Sequence, residues 1–169
     1  YMKPLEILVF GASGQIGRHL LRKLTRRNFK ITAVTRNIHR KGYTLKSQAN
    51  AGWIKIVEIE TFSNSKLNEI FKNKDICINL IGILNPKNKF SFNNIHSVLP
   101  QKLAEFSKKN NLKQFIHVSA LGIDEAKESS YAASKINGEN YIKQTFDKYT
   151  ILRPSLVYSV DDKFTTKLF

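Results

Sequence analysis

Residues 5–17 read LEILVFGASGQIG, and this stretch restricts the fold more than any other part of the chain. Residues 5–10 form a nearly continuous apolar run, too short for a buried helix and closed by Gly11. A strand buried on both faces of a parallel sheet requires such a run. Directly afterwards, residues 15–27 place Ile16, Leu20, Leu21 and Leu24 at helical spacing, with most basic residues on the opposite side. Between strand and helix lie three glycines, Gly11, Gly14 and Gly17. Glycine lets the backbone bend sharply after the strand and lets the helix pack close to the sheet. Strand, glycine turn and helix together open a βαβ unit.

The rest of the chain continues the alternation. Strands are expected at 30–35 (KITAVT), 53–59, 75–81 (DICINLI), 114–119 (QFIHVS) and 149–153, the last stopped by Pro154. Helices are expected at 65–72, at 92–110 with a bend near Pro100, and at 130–146. Residues 37–52 contain Gly, Asn and Lys and read as a loop with at most a short helical piece. Alternation with short connections implies one parallel sheet covered by helices on both sides. The expected fold class is therefore α/β: a doubly wound parallel sheet of order 3-2-1-4-5-6, the Rossmann fold, with its ligand at the carboxyl ends of the strands.

At 169 residues the chain reads as one domain, 1–169, large enough to bury a core unaided. It is expected to stop before a small C-terminal lobe that would select a substrate. No apolar run approaches the ~20 residues of a membrane span, and residues 5–10 are too short for a secretion signal. The single cysteine, Cys77, has no intramolecular disulfide partner, which suits a reducing compartment. The four histidines and this cysteine show no metal-ligand spacing.

The same turn points to a ligand. A helix N-terminus offers unpaired N–H groups and the positive end of its dipole, which suit the phosphates of a dinucleotide. The candidate residues there are Gly11, Ser13, Gly14, Gln15, Ile16 and Gly17. Their spacing, G-x-x-G-x-x-G, is one residue longer than the usual dinucleotide fingerprint. The end of the second strand separates the two dinucleotides. An acid about 20 residues on would bind the ribose 2′-hydroxyl of NAD, but the chain reads Thr35-Arg36-Asn37. Arg36 either forks onto a 2′-phosphate, as a guanidinium does better than an ammonium, or is one more arginine of a basic chain. The first reading makes NADP(H) the expected cofactor, ahead of NAD(H).

Four further stretches belong with the glycine turn. Ile78-Asn79-Leu80-Ile81-Gly82 closes the fourth strand, Ser119 ends the fifth, Tyr131-Ala132-Ala133-Ser134-Lys135 is a Y-x-x-x-K motif, and Arg153-Pro154-Ser155-Leu156-Val157-Tyr158 follows the sixth. Together they resemble the extended and atypical short-chain dehydrogenases of the epimerase/dehydratase superfamily. Within it the chain resembles the nucleotide-binding accessory subunit of respiratory complex I (NADH:ubiquinone oxidoreductase) and its bacterial relatives. The stretches that carry this are FGASGQIGRHLLRKL, INLIGIL, LKQFIHVSALG, SYAASKINGE and TILRPSLVYSVDDKF. The resemblance implies that Leu80, Ile81 and Gly82 lie under the cofactor, and that Pro154 and Val157 touch its nicotinamide end. It implies Ser119, Tyr131 and Lys135 as the catalytic constellation, with Lys135 also on the nicotinamide ribose.

Tyr131 and Lys135 are one helical turn apart and share a face. The lysine charge is expected to lower a phenol pKa that is ordinarily about 10. Tyr131 would then exchange a proton with a substrate oxygen held by Ser119 while the cofactor moves hydride. Three departures from the family pattern bear on this. Ser119 and Tyr131 are only twelve positions apart, His96 stands where an asparagine is usual, and Ile59-Glu60-Thr61 replaces a Gly-Asp pair. Glu60 is left as a candidate adenine contact.

The net charge is +15, with lysines along the whole chain and the densest stretches at 22–30 and 36–46. No DNA- or RNA-binding motif accompanies them, so no nucleic-acid partner is expected. The charge reads either as a solvated surface or as a match for an acidic partner, protein or anionic lipid. The resemblance implies an NADP(H)-binding accessory or assembly protein of the complex I type, with the dinucleotide as a mainly structural ligand and respiratory-complex subunits as partners. Its expected place is the cytoplasm, peripheral on the inner face of the energy-transducing membrane. The alternatives are an NADP-dependent reductase or sugar-nucleotide epimerase/dehydratase, and more distantly a sensor of the NADP redox ratio.

Overall fold

A computed structural model describes residues 3–50, 52–86, 91–155 and 157. Its parallel strands are β1 (Glu6–Phe10), β2 (Lys30–Thr35), β3 (Ile54–Glu58), β4 (Ile76–Asn79), β5 (Gln114–Val118) and β6 (Tyr149–Leu152). They form one sheet in the order β3-β2-β1-β4-β5-β6, as expected. The helices are α1 (Gln15–Thr25), α2 (Ile38–Lys46), α3 (Asn64–Phe71), α4 (Leu99–Lys109) and α5 (Ser130–Thr145).

The central strand shows why the first apolar run is continuous. Leu8 and Phe10 point to one side of the sheet, into a core with Leu67 of α3, Leu103 of α4 and Ile142 of α5. Ile7 and Val9 point to the other, into a core with Leu21 of α1 and Leu45 of α2. Successive strand residues alternate between faces, so a strand covered on both sides needs apolar residues at every position. β1 pairs with β2 through Val9↔Ala33 and with β4 through Val9↔Ile78. The chain order reverses between β1 and β4, which opens a crevice at their carboxyl ends.

Three elements differ from expectation, each for a local reason. Residues 38–46 form a nine-residue helix rather than a loop. Asn37 caps it by accepting the Arg40 N–H at 2.9 Å, and Leu45 anchors it in the core. The helix was obscured by Gly42, a poor helix former in its interior. β4 stops at Asn79 because the Asn79 side chain accepts the Ile81 N–H at 3.1 Å, which turns the chain out of the sheet. Ahead of α4, Asn94–Val98 form a π-helical turn, in which Leu99 N–H reaches back to the Asn94 carbonyl. Pro100 has no N–H to offer the His96 carbonyl in α register, so the wider turn takes its place.

Candidate functional site

After Phe10 the chain reverses at Gly11, whose φ of +76° lies in the left-handed region. A Cβ there would also come within 2.9 Å of the Leu80 carbonyl carbon, so the strand-β1 turn and the chain leaving β4 touch backbone to backbone. Gly14 is the N-cap of α1, with an ordinary φ of −73° and no side-chain cap. The first N–H groups of α1 are therefore not taken by a capping side chain. Gly17 faces inward, where any Cβ would collide with the Ala12 carbonyl.

Over this turn lies a cleft of about 780 Å³. Gly11, Gly14, Gln15, Ile16 and Gly17 line it from below; Leu80, Gly82, Ser119, Tyr131, Pro154 and Val157 line it from the other strand ends. A second hollow of about 250 Å³ shares Gly11, Gly14, Leu80 and Gly82 and adds Ser13, Arg36 and Ile81. Its remaining wall is largely apolar, with Val34, Ile59, Phe62 and Ile95. The two spaces run together from Arg36 at the end of β2 to Tyr131 on α5. Lys135 lines neither; it lies behind Gly82, its Nζ 3.6 Å from where a Gly82 Cβ would stand. Leu156 and Tyr158 of the sixth-strand motif lie outside the described residues. Gln15 Nε2 donates to the Val157 carbonyl at 3.3 Å, joining the start of α1 to the segment after β6. Glu60 lines a separate notch with Glu58, Ser63 and Lys66 rather than the cleft.

The electrostatics of Tyr131 run opposite to the expectation. Burial raises the phenol pKa. Lys135 Nζ sits over the Tyr131 ring, 5.8 Å from its centroid, and its charge does not outweigh the loss of solvent. Burial also pulls the Lys135 ammonium down to about 8, with Glu139 opposing the shift. Ser119 Oγ is buried and has no hydrogen-bond partner among the described residues. A turn tightened at Gly11 and Gly17, a helix start with no side-chain cap, and an orphaned hydroxyl at the far end suit a long polar ligand with phosphates in its middle.

Two residues of this region were not read as site residues. His96 is buried and accepts the Ile83 N–H at Nε2, 3.1 Å away. Its proton is therefore on Nδ1, which donates to Ser134 Oγ at 3.1 Å; that hydroxyl in turn donates to the Tyr131 carbonyl at 2.7 Å. His96 also meets the Tyr131 ring edge-on at 5.3 Å between centroids. The other residue is Glu139, whose carboxylate grips Arg153. Burial alone would raise its pKa, but the hydrogen bonds and charge of Arg153, with the charge of Lys143, hold it below its ordinary value. Glu139 follows Lys135 at the spacing that Lys135 keeps from Tyr131, and this was the available signal.

A profile of the NAD(P)H-binding family matches residues 11–168. Over 160 residues the chain is 31% identical to the mitochondrial NADH-ubiquinone oxidoreductase 40 kDa subunit of Neurospora crassa, covering 95% of this chain and 42% of that one. Over 163 residues it is 29% identical to the mitochondrial NADH dehydrogenase (ubiquinone) 1 alpha subcomplex subunit 9 of Dictyostelium discoideum, covering 96% and 45%. The chain thus spans less than half the length of these curated relatives. Its fold is shared with a solved Bacillus halodurans protein assigned to the NAD-dependent epimerase/dehydratase type, at a TM-score of 0.79 and 22% identity, over 94% of this chain and 74% of the other. A family match over nearly its whole length leads to one statement: the chain belongs to the NAD(P)H-binding family.

Proposed function

We propose that the chain is an NADP(H)-binding accessory or assembly protein of the complex I type, which keeps the dinucleotide as a mainly structural ligand. The observation that carries the binding part is the trough running from Arg36, across the start of α1, to Tyr131. In this reading Gly11, Ser13, Gly14, Gln15, Ile16 and Gly17 hold the pyrophosphate, and Arg36 holds the 2′-phosphate. The first N–H of α2 is already taken by the Glu58 carboxylate, which accepts from Ile38 at 2.9 Å. In this reading the guanidinium, rather than that helix start, meets the phosphate. Leu80, Ile81 and Gly82 form the floor, Lys135 meets the ribose, and Pro154 and Val157 flank the nicotinamide.

When bound, the dinucleotide supplies a group able to give or take hydride. What the chain itself adds argues for retention over turnover. Burial raises the pKa of the Tyr131 phenol, which disfavours the phenolate that would act as a base. The relatives named above are respiratory-complex subunits, so the proposed partners are subunits of that assembly. The proposed place is the cytoplasmic side of a bacterial energy-transducing membrane, as a peripheral protein. Among the described residues no helix is long and apolar enough to cross it.

One observation favours a second reading, an NADP-dependent reductase or epimerase/dehydratase: Ser119 and Tyr131 line the same cleft, with Lys135 directly behind it. Purification of the full-length protein from native membranes separates the two. Co-purifying complex I subunits, and NADP(H) released on denaturation, support the first. A free protein that oxidises NADPH with a carbonyl or sugar-nucleotide substrate replaces it with the second.

A further inference from the structure

Charge on this chain is segregated. Residues 1–57 carry twelve lysines and arginines against one acid, Glu6, whereas residues 58–169 carry sixteen against twelve acids. Most of the net charge therefore belongs to the first third of the chain, and between Glu6 and Glu58 there is no acidic residue at all. Among the described residues this segment supplies the helices on one face of the sheet. Leu21 of α1 and Leu45 of α2 share the core beneath it. Arg22 and Arg26 of the α1 side and Arg40 and Lys41 of α2 are all exposed, and neither α1 nor α2 carries a carboxylate to pair with them. The two rows meet. Arg22 and Arg26 line a polar notch of about 260 Å³ that Ser47, Gln48 and Asn50 close from the α2 side.

Folding explains only part of this. Cations near the end of α1 offset the negative end of its dipole. Arg40 and Lys41, however, stand in the first turn of α2, where the dipole disfavours them, and like charges gathered in one layer repel. We infer that the α1–α2 face docks on an anionic phospholipid surface. A stable protein interface has an apolar centre. Among the large exposed apolar side chains of the described residues, only Tyr43, 86% exposed, falls on these two helices. Lipid headgroups need no apolar centre, only cations within a Debye length, and a tyrosine is at home at headgroup level. The inference stands apart from the choice of cofactor, since none of these residues lines the cleft.

The test is flotation of the protein with phosphatidylcholine vesicles, with and without phosphatidylglycerol. Binding is expected only to the anionic vesicles and should weaken as salt is raised. The variant Arg22→Glu/Arg26→Glu/Arg40→Glu/Lys41→Glu should bind roughly a hundred-fold more weakly or worse, each basic residue near such a surface being worth about five-fold. A charge-matched control, Lys72→Glu/Lys108→Glu/Lys127→Glu/Lys148→Glu, changes exposed lysines elsewhere and should bind much as the parent does. If the charge-reversed protein fails to fold, the four glutamine substitutions replace it. No binding to anionic vesicles, or equal loss in both variants, overturns the inference. So would duplex RNA binding that depends on the same four residues and is tighter than vesicle binding.

Discussion

The Glu139 carboxylate, only 1% exposed, takes the Arg153 guanidinium in two bonds, Nε to Oε1 at 2.8 Å and Nη2 to Oε2 at 2.7 Å. The remaining nitrogen, Nη1, pairs with Asp124 in the segment after β5. One arginine thus ties the helix that carries Tyr131 and Lys135 to the end of β6 and to the cleft's far wall. Glu139→Gln keeps the size but removes the charge, and should cost about 1.5–3 kcal/mol of stability, the scale for hydrogen bonds to charged groups. Arg153→Lys should cost nearly as much, because an ammonium cannot make the planar fork. Urea unfolding measures both; changes under about 0.5 kcal/mol, typical of neutral surface sites, would show that the fork holds nothing in place.

Gly14 and Gly17 should fail in different ways. Gly14 has an ordinary φ, and its nearest neighbour to a new Cβ is the Gly11 carbonyl oxygen at 3.3 Å. Gly14→Val should therefore fold with modest destabilisation yet lose dinucleotide binding, because its side chain fills the phosphate space. Gly17→Val collides with the Ala12 carbonyl and should unfold the first βαβ unit. Circular dichroism and NADPH titration distinguish them. Unchanged NADPH affinity in Gly14→Val would remove the glycine turn from the site.

Arg36 sets the cofactor if it meets a 2′-phosphate. Arg36→Ala should then weaken NADPH binding by roughly ten- to a hundred-fold, the equivalent of about 1.5–3 kcal/mol, and leave NADH binding nearly unchanged. Isothermal titration with both cofactors measures the ratio. Equal losses, or none, would make Arg36 a surface charge.

The parts of the molecule that were legible in the sequence are those encoded by neighbours. Leu8 and Phe10 alternate with Ile7 and Val9, and the turn glycines follow at once, so strand, turn and sheet order could be read from one segment and its repeats. α2 was not legible, because Gly42 weakens its interior and only a few apolar residues hold it. The partnership of Glu139 with Arg153 joins residues fourteen positions apart that meet only after β6 folds beside β5. The sign of the Tyr131 shift was also out of reach. The Y-x-x-x-K spacing reports that a charge is near, but burial, which wins here, is a property of the packed fold.

Two buried histidines give the protein an acid limit. His96 accepts the Ile83 N–H, and His117 Nδ1 accepts from the Asn79 amide at 3.1 Å, so a second proton on either ring would face a donor. Burial, with the charge of Lys135, lowers His96 to about 4 and His117 to about 3. Between those values and the ordinary 6.5 the unfolded chain binds more protons than the folded one. Stability should therefore be fully present above pH 6.5 and fall as the pH drops from there toward 4, by up to about 1.4 kcal/mol per pH unit for each histidine. Denaturant midpoints at several pH values check this, and His117→Gln should reduce the slope. A midpoint flat from pH 6.5 to 4.5 would contradict it.

Tyr131→Phe separates retention of the dinucleotide from turnover. The ring stands edge-on to both Phe92, at 5.6 Å, and His96, at 5.3 Å, so phenylalanine preserves this packing and removes only the hydroxyl. Stability should change by less than about 1 kcal/mol, since that ring packing does not involve the hydroxyl. NADPH affinity should hold, because the contacts proposed for the phosphates and ribose lie on the glycine turn, Arg36 and Lys135. A respiratory assembly that contains the full-length variant should form at its normal level. If the phenol instead serves as a proton donor, its loss should slow an NADPH-dependent reaction by about 10²–10⁴-fold with the cofactor still bound. The two outcomes are read from one pair of measurements on the full-length protein, complex assembly in native membranes and NADPH oxidation with candidate substrates. Intact assembly without any measurable reaction in parent or variant keeps the dinucleotide in its structural role; a reaction that the parent performs and Tyr131→Phe lacks moves the protein among the enzymes.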